Sequence, residues 1–374
     1  ASKPVFYNEK TNKVSYNIND VIDINNLEFH PEGLKNYLDF GYAVLGQTPV
    51  RHVKFLRHSS RITVKDDGKL HIEHLEDPVI SWLGRTSHED DVLDLLKTIV
   101  NKWENSIDGE IIIPTSGGFD SRLLNYLISD KSRIRSFTYG ISNKQSDSIE
   151  VVFARQLSNI LGTKWAWLPL GDYNIYFDVW ERLFGISSHA EGMYHIEFYS
   201  KILPLVGSNR PLLSGIIGDV WAGSWQLPPV ENPSEVVNLS RSYGVNADSK
   251  FCLLKTKSNE LLEQYFESRK KELELPIYRV VEAVRFKIIM LCYLIKVPEY
   301  LTYRPWSPFL LPEIALSMLT LPPERRQNRL WQREYFKKCG LDLEDMNLKF
   351  DRRNTLDRMS LERVVPMPLD KDIM

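Results

Sequence analysis

The sequence predicts an α/β fold, a parallel sheet covered by helices, behind a small N-terminal lobe rich in β-strand. Three observations predict it. The opening segment, to about residue 82, holds short, partly alternating β pieces separated by turn residues. At Ser87 the pattern changes to that of an amphipathic helix. From Glu110 onward strands alternate with helices, and the strands are apolar along most of their length, as strands buried on both faces must be.

The β pieces of the lobe are Pro4 to Tyr7, then KVSYN, HVKFL, RITVK and LHIEH, the last two joined through the turn pair Asp67-Gly68. One helix is expected from Pro31 to about Phe40, with Pro in its first turn and Leu34, Tyr37 and Leu38 on one side. Ser87 is expected to cap the next helix, because an acidic turn follows it and Val92, Leu95, Leu96, Ile99 and Trp103 then recur at helical spacing. The main domain begins there. It continues with a strand at Glu110 to Pro114, a Gly-rich loop, the helix RLLNYLI, the strand IRSFTYG, the helix DSIEVVFARQLSNILG and the strand KWAWLPL. Pro211 to Asp219 repeats the strand-then-loop form, and helical patterns return over Ser258 to Glu274 and Val280 to Ile295. The boundary expected from this pattern separates residues 1–82 from 83–374. The charged, Pro-containing stretch from Asp351 to Met374 reads equally as an ordered arm or a loose tail.

Composition narrows the classes. With 43% hydrophobic and 11% aromatic residues the chain can bury a large core, which excludes disorder for its bulk. Lys and Arg number 47 against 49 Asp and Glu, so no basic excess is present to neutralise a run of phosphates, and nucleic acid is an unfavoured partner. Cys252, Cys292 and Cys339 are too few and too scattered for a disulfide framework or a CxxC zinc site. With no apolar run of membrane length and no apolar stretch in the first twenty residues, a cytoplasmic location is expected.

The most informative residues are Ser116-Gly117-Gly118-Phe119-Asp120-Ser121. A loop leaving the carboxyl end of a parallel strand and entering a helix aims N–H groups outward at the positive end of the helix dipole, which makes an anion site. The glycines let the backbone approach closely, the serines add hydroxyl donors, and Asp120 is placed to hold Mg²⁺ between phosphate oxygens. Neither a GxxxxGK[ST] nor a GxGxxG pattern is present, so two common nucleotide loops are excluded. A plain tight turn of small residues is the bland alternative, disfavoured by the order strand, loop, helix.

SGGFDS resembles the SGGxDS motif of the PP-loop ATP pyrophosphatases, which have the adenine nucleotide alpha hydrolase-like fold and split ATP into AMP and pyrophosphate. Within them the chain resembles the synthetase domain of asparagine synthetases, β-lactam synthetases and lasso-peptide cyclases. Four further segments carry the likeness: IRSFTYG with the helix after it, Leu212 to Trp225 (LLSGIIGDVWAGSW), Ser307 to Glu324 (SPFLLPEIALSMLTLPPE), and NRLWQREYF. The opening lobe resembles the last strands of the family's glutaminase lobe. That glutaminase uses an N-terminal cysteine, whereas Ala1 stands first here and no cysteine precedes Cys252, so the expectation is a lobe without its nucleophile, either truncated or with its first part outside the given sequence.

The resemblance implies that Ser116, Gly117, Gly118 and Ser121 cradle the phosphates of ATP, that Ser214 and Gly215 lie near the nucleotide, and that Asp120 and Asp219 share Mg²⁺. Asp219 also reads as a helix N-cap after Gly218. Arg329 stands where the family has a lysine that neutralises departing pyrophosphate, or else is a solvated cation in a charged run. His189 and His195, six apart, have the wrong spacing for one helix face and read as packed rather than metal-binding histidines.

Where the family carries acids, this chain has Ile216, Val220 and Leu311, and Glu299 is the nearest substitute for the glutamate that serves in amine deprotonation. A more apolar substrate pocket is expected, which argues against free aspartate. The function implied is an AMP-forming amide ligase acting on a small-molecule or peptide carboxylate and on ammonia or an amine. The ammonia source, a separate glutaminase or none, and a homodimeric state stay open. A tRNA-modifying PP-loop enzyme and a degenerate nucleotide-binding protein are the competing readings.

Overall fold

The computed structural model describes residues 3–190, 192–240, 249 and 258–353. Cys252 and the stretch 354–374 lie outside the described residues. In the N-terminal lobe β1 (Phe6–Asn8) pairs antiparallel with β2 (Val14–Ser15) and β3 (Val53–Phe55), and α1 (Pro31–Phe40) packs between them in the chain. A hairpin of β4 (Ser60–Val64) and β5 (Leu70–His74) follows. Gly41, at φ 86°, ends α1 in the left-handed conformation that favours glycine.

The segment that carries the parallel sheet opens with α2 (Glu89–Asn105). Its N-cap is His88 rather than the expected Ser87, whose backbone N–H and hydroxyl instead reach Thr320, at 3.0 and 2.8 Å. A long-range pairing outcompeted the local cap. Next come β6 (Ile111–Pro114), α3 (Phe119–Leu127), β7 (Ile134–Thr138), α4 (Ile149–Leu161) and β8 (Lys164–Trp167). After α5 (Phe177–Phe184) and α6 (Met193–Val206) the chain returns as β9 (Pro211–Leu213). The remaining helices are α7 (Glu260–Leu273), α8 (Pro276–Leu291), α9 (Tyr293–Tyr300), α10 (Pro312–Leu319), α11 (Pro323–Arg326) and α12 (Leu330–Lys338). Between α9 and α10 lies β10 (Arg304–Trp306), a strand the sequence reading did not anticipate. Pro305 is tolerated there because β10 is an edge strand.

The five strands β10-β9-β6-β7-β8 form one parallel sheet, confirming the α/β class. Alternation along β6 builds two cores. Ile111 and Ile113 pack with Val92, Leu96, Leu123 and Leu124 on one face, and Ile112 packs with Phe137, Trp180, Ile202 and Leu212 on the other. All of these residues are buried. The lobe shares the first core: Phe40 meets Phe286 edge to face at 5.9 Å. No helix among the described residues is long and apolar enough to cross a membrane.

Candidate nucleotide crevice

Strand order fixes where a ligand can sit. From β6 the chain passes through α3 to β7 on one side, while β9 flanks β6 on the other, so the loops after β6 and β9 diverge and leave a crevice at their carboxyl ends. The first loop is Thr115 to Gly118 and the second is Ser214 to Asp219.

Gly117 shows why the first loop has its composition. It sits at φ 70°, and a Cβ there would lie 2.4 Å from the Cβ of Phe153 and 2.8 Å from the backbone nitrogen of Ala154. Only glycine meets both demands, so the loop lies directly against α4. Gly118 is the N-cap of α3 and donates its N–H to Ser116 Oγ at 3.3 Å. Ser121 Oγ donates to Gly118 O at 3.1 Å and lies 3.4 Å from Ser116 Oγ, which gathers both hydroxyls at the helix entrance.

Asp120 faces the crevice from the first turn of α3. Its Oδ1 is buried and has no hydrogen-bond partner. Burial and the Asp219 carboxylate push its pKa up to about 8, against the pull of Arg329, the Asp219 backbone and the Gln332 side chain. The second loop closes on it: a Cβ at Gly215 would stand 3.0 Å from Asp120 Cβ, and one at Gly218 would stand 2.8 Å from Asp120 Cγ. The two loops therefore touch at Asp120. Asp219 does not cap the turn that follows; its Oδ2 accepts a hydrogen bond from Ser224 Oγ at 2.9 Å. Ser214 is buried and donates its N–H to Trp306 O at 2.9 Å, tying this loop to β10.

Arg329 reaches the same place from α12, where it is the N-cap at φ 56° and lies 4.5 Å above the Phe119 ring. The structure thus brings together Ser116, Gly117, Gly118, Asp120, Ser121, Gly215, Asp219 and Arg329. Glu299 is not among the groups acting on Asp120; it lies half a chain away in a surface pair with Lys3 at 2.7 Å, on the rim of a separate cavity. Ile216 and Val220 are buried in the core, and Leu311 lines that cavity. His189 Nδ1 lies 2.5 Å from Gly41 O, and His195 is packed among Tyr139, Tyr194 and Tyr293. Both histidine rings lie against these neighbouring groups. No cluster of three or more His, Cys, Asp or Glu that would cage a metal occurs among the described residues.

Two site residues escaped the sequence reading. Arg122 is fully buried behind the loop, donating to Gly117 O at 2.8 Å, to Leu341 O at 2.9 Å, and to both oxygens of Glu344 at 2.8 Å. It is the post that holds the Gly117 peptide. Gln332, 1% exposed on α12, approaches Asp120. The available signal for Arg122 was a charged residue on a short, largely apolar helix, and two of its partners, Leu341 and Glu344, are more than two hundred positions away.

The fold and the site define an α/β protein with a polar crevice at the switch point of a parallel sheet. No family model and no curated protein matches the chain. Among solved structures it is similar to an NH3-dependent NAD synthetase from Campylobacter jejuni in complex with nitrate, at 14% identity and a TM-score of 0.24, over 67% of this chain and 96% of that one. It is also similar to a glutamine-dependent NAD+ synthetase from Acinetobacter baumannii in complex with ADP, at 14% identity and a TM-score of 0.25, over 78% of this chain and 51% of that one. The chain thus spans about half of the second structure. At such TM-scores neither likeness bears on function, and the fold assignment rests on strand order and register.

Proposed function

We propose that the protein is a PP-loop, ATP-dependent ligase that adenylates a carboxylate, releases pyrophosphate and transfers the acyl group to ammonia or an amine. The single observation that carries this reading is the SGGFDS loop at the switch point of a parallel sheet, with the partnerless Asp120 oxygen buried beside Asp219 and Arg329. Two close carboxylates without a third ligand suit Mg²⁺, which takes one or two protein carboxylates and completes its shell with water and phosphate. Asp120 and Asp219 would hold it, and it would supply charge neutralisation on the phosphates.

The chain's own groups divide the remaining work. Ser116, Ser121 and the N-terminal turn of α3 bind phosphate oxygens. Arg329 stabilises the charge that develops on pyrophosphate, and because guanidinium does not give up its proton this role is electrostatic only. The substrate carboxylate oxygen forms a bond to the α phosphorus as the bond to pyrophosphate breaks; nitrogen then attacks the acyl carbon and AMP leaves. Positioning supplies most of the acceleration in such a scheme.

The test uses Mg²⁺, ATP and a carboxylate selected for stimulating AMP formation. Asp120→Asn lowers pyrophosphate release by about 100-fold or more. Release unchanged in that variant contradicts the proposal.

A further inference from the structure

Outside the crevice the structure holds a cavity of about 780 Å³ between the N-terminal lobe and helices α8 and α10. That volume lies in the range of pockets that enclose a small organic molecule. Its walls are mostly apolar, including Leu45, Phe55, Val281, Ile289, Leu316 and Leu319. It reaches the crevice through shared residues. Phe309 and Trp221 line the cavity, Trp221 Nε1 donates to Phe309 O at 2.9 Å, and the Phe309 ring lies against Gly218, which in turn touches Asp120.

One wall is polar. Glu282 is 1% exposed; Arg285 donates to Glu282 Oε1 at 2.7 Å and to both oxygens of Asp77 at 2.7 Å, and the Tyr265 hydroxyl donates to Glu282. Arg57 lies 5.9 Å from the Tyr265 ring centroid, and Lys3 pairs with Glu299 on the rim. Charges therefore balance: Lys3, Arg57 and Arg285 against Asp77, Glu282 and Glu299. His58 stands in this wall with Nε2 3.6 Å from Glu282 Oε1, and neither of its ring nitrogens has a hydrogen-bond partner. Burial pushes its pKa down to about 4, so the ring is neutral and offers one donor and one acceptor. A charged ligand group would enter a wall whose charges are already matched, and would remain desolvated without compensation. An uncharged group that donates or accepts meets no such cost and can pair with one of the two ring nitrogens.

We propose that this cavity binds the apolar part of the substrate and that His58 recognises an uncharged amide or hydroxyl group on it. Calling the occupant a substrate rests on the ligase reading; the chemistry of the occupant rests on the cavity alone. His58 is a specificity-determining residue here.

Three probes with one chain and different heads test this: decanamide, decanoate and decylamine. Binding is followed by the fluorescence of Trp221 and Trp306, which line the cavity. Decanamide is expected to bind about tenfold more tightly than either charged probe. His58→Phe brings the three within about twofold, and His58→Gln, which keeps a donor and an acceptor, restores the preference. Leu316→Trp fills the cavity and removes binding of every probe while Mg²⁺-ATP binding, measured by calorimetry, persists. A charged probe that binds as tightly as decanamide overturns the proposal, as does the absence of any probe binding to wild-type protein shown folded by circular dichroism. Loss of ATP binding with the probe pattern intact overturns the ligase reading and leaves the cavity assignment standing.

Discussion

The crevice at the sheet edge and the cavity under the N-terminal lobe meet at Phe309 and Trp221, yet they are built in opposite ways. The crevice is assembled from backbone: a positive-φ glycine pressed on α4, a helix N-terminus, and two loops in contact through Gly215 and Gly218. Its two carboxylates, Asp120 and Asp219, lie close enough that burial and their repulsion hold a proton on Asp120. The cavity is assembled from side chains on distant elements, and its charges cancel. In the proposed reading, the proton on Asp120 is what a metal ion would replace. The site proposed for uncharged apolar molecules has its charges matched in advance.

The comparison is broken most forcefully at Arg122. Arg122→Leu leaves Glu344 and the Gly117 and Leu341 carbonyls without their buried cation, and is expected to cost about 3–5 kcal/mol in urea unfolding. Where the variant stays folded it should lose ATP binding and keep decanamide binding. Equal loss of both would show that the two sites form one cooperative unit.

Arg122 also marks the limit of what the sequence revealed. The α/β class, the order of β6 to β9 and the Ser116 to Ser121 loop were legible because strand periodicity and loop chemistry are local properties. That Asp219 and Arg329 would lie beside Asp120 was legible only through resemblance, since nothing in their own sequence surroundings sets them apart from an N-cap or a solvated cation. Arg122, Gln332, His58 and Glu282 were not legible, because each acquires its role from partners on other elements. Ser87 and β10 went astray for the same reason: Thr320 claimed the expected cap, and Pro305 concealed an edge strand that pairs with β9.

A smaller effect is expected at Gly117. Gly117→Ala forces a methyl group against Phe153 and the α4 backbone at a positive φ, which should cost about 2–3 kcal/mol in thermal or urea unfolding and shift the loop proposed to bind phosphate. The cavity, which shares no residue with α4, should be unaffected.

The smallest effect separates the two sites by pH. Asp120 titrates near pH 8 without a metal, so Mg²⁺ must displace a proton below that value. Mg²⁺ affinity should therefore rise about tenfold per pH unit up to pH 8 and level off above it, in titrations at pH 6, 7 and 9. Decanamide binding should not change over the same interval, because His58 titrates near 4.

Calorimetric titration of wild-type protein and Asp120→Asn with ATP, each with and without Mg²⁺, addresses the central claim most directly. The wild type should bind ATP with a clear Mg²⁺ dependence and release protons at pH 7, and the variant should lose both the Mg²⁺ enhancement and the proton release. Equal, Mg²⁺-independent binding by the two proteins, or no binding by the wild type, would contradict the assignment of the crevice as a nucleotide site.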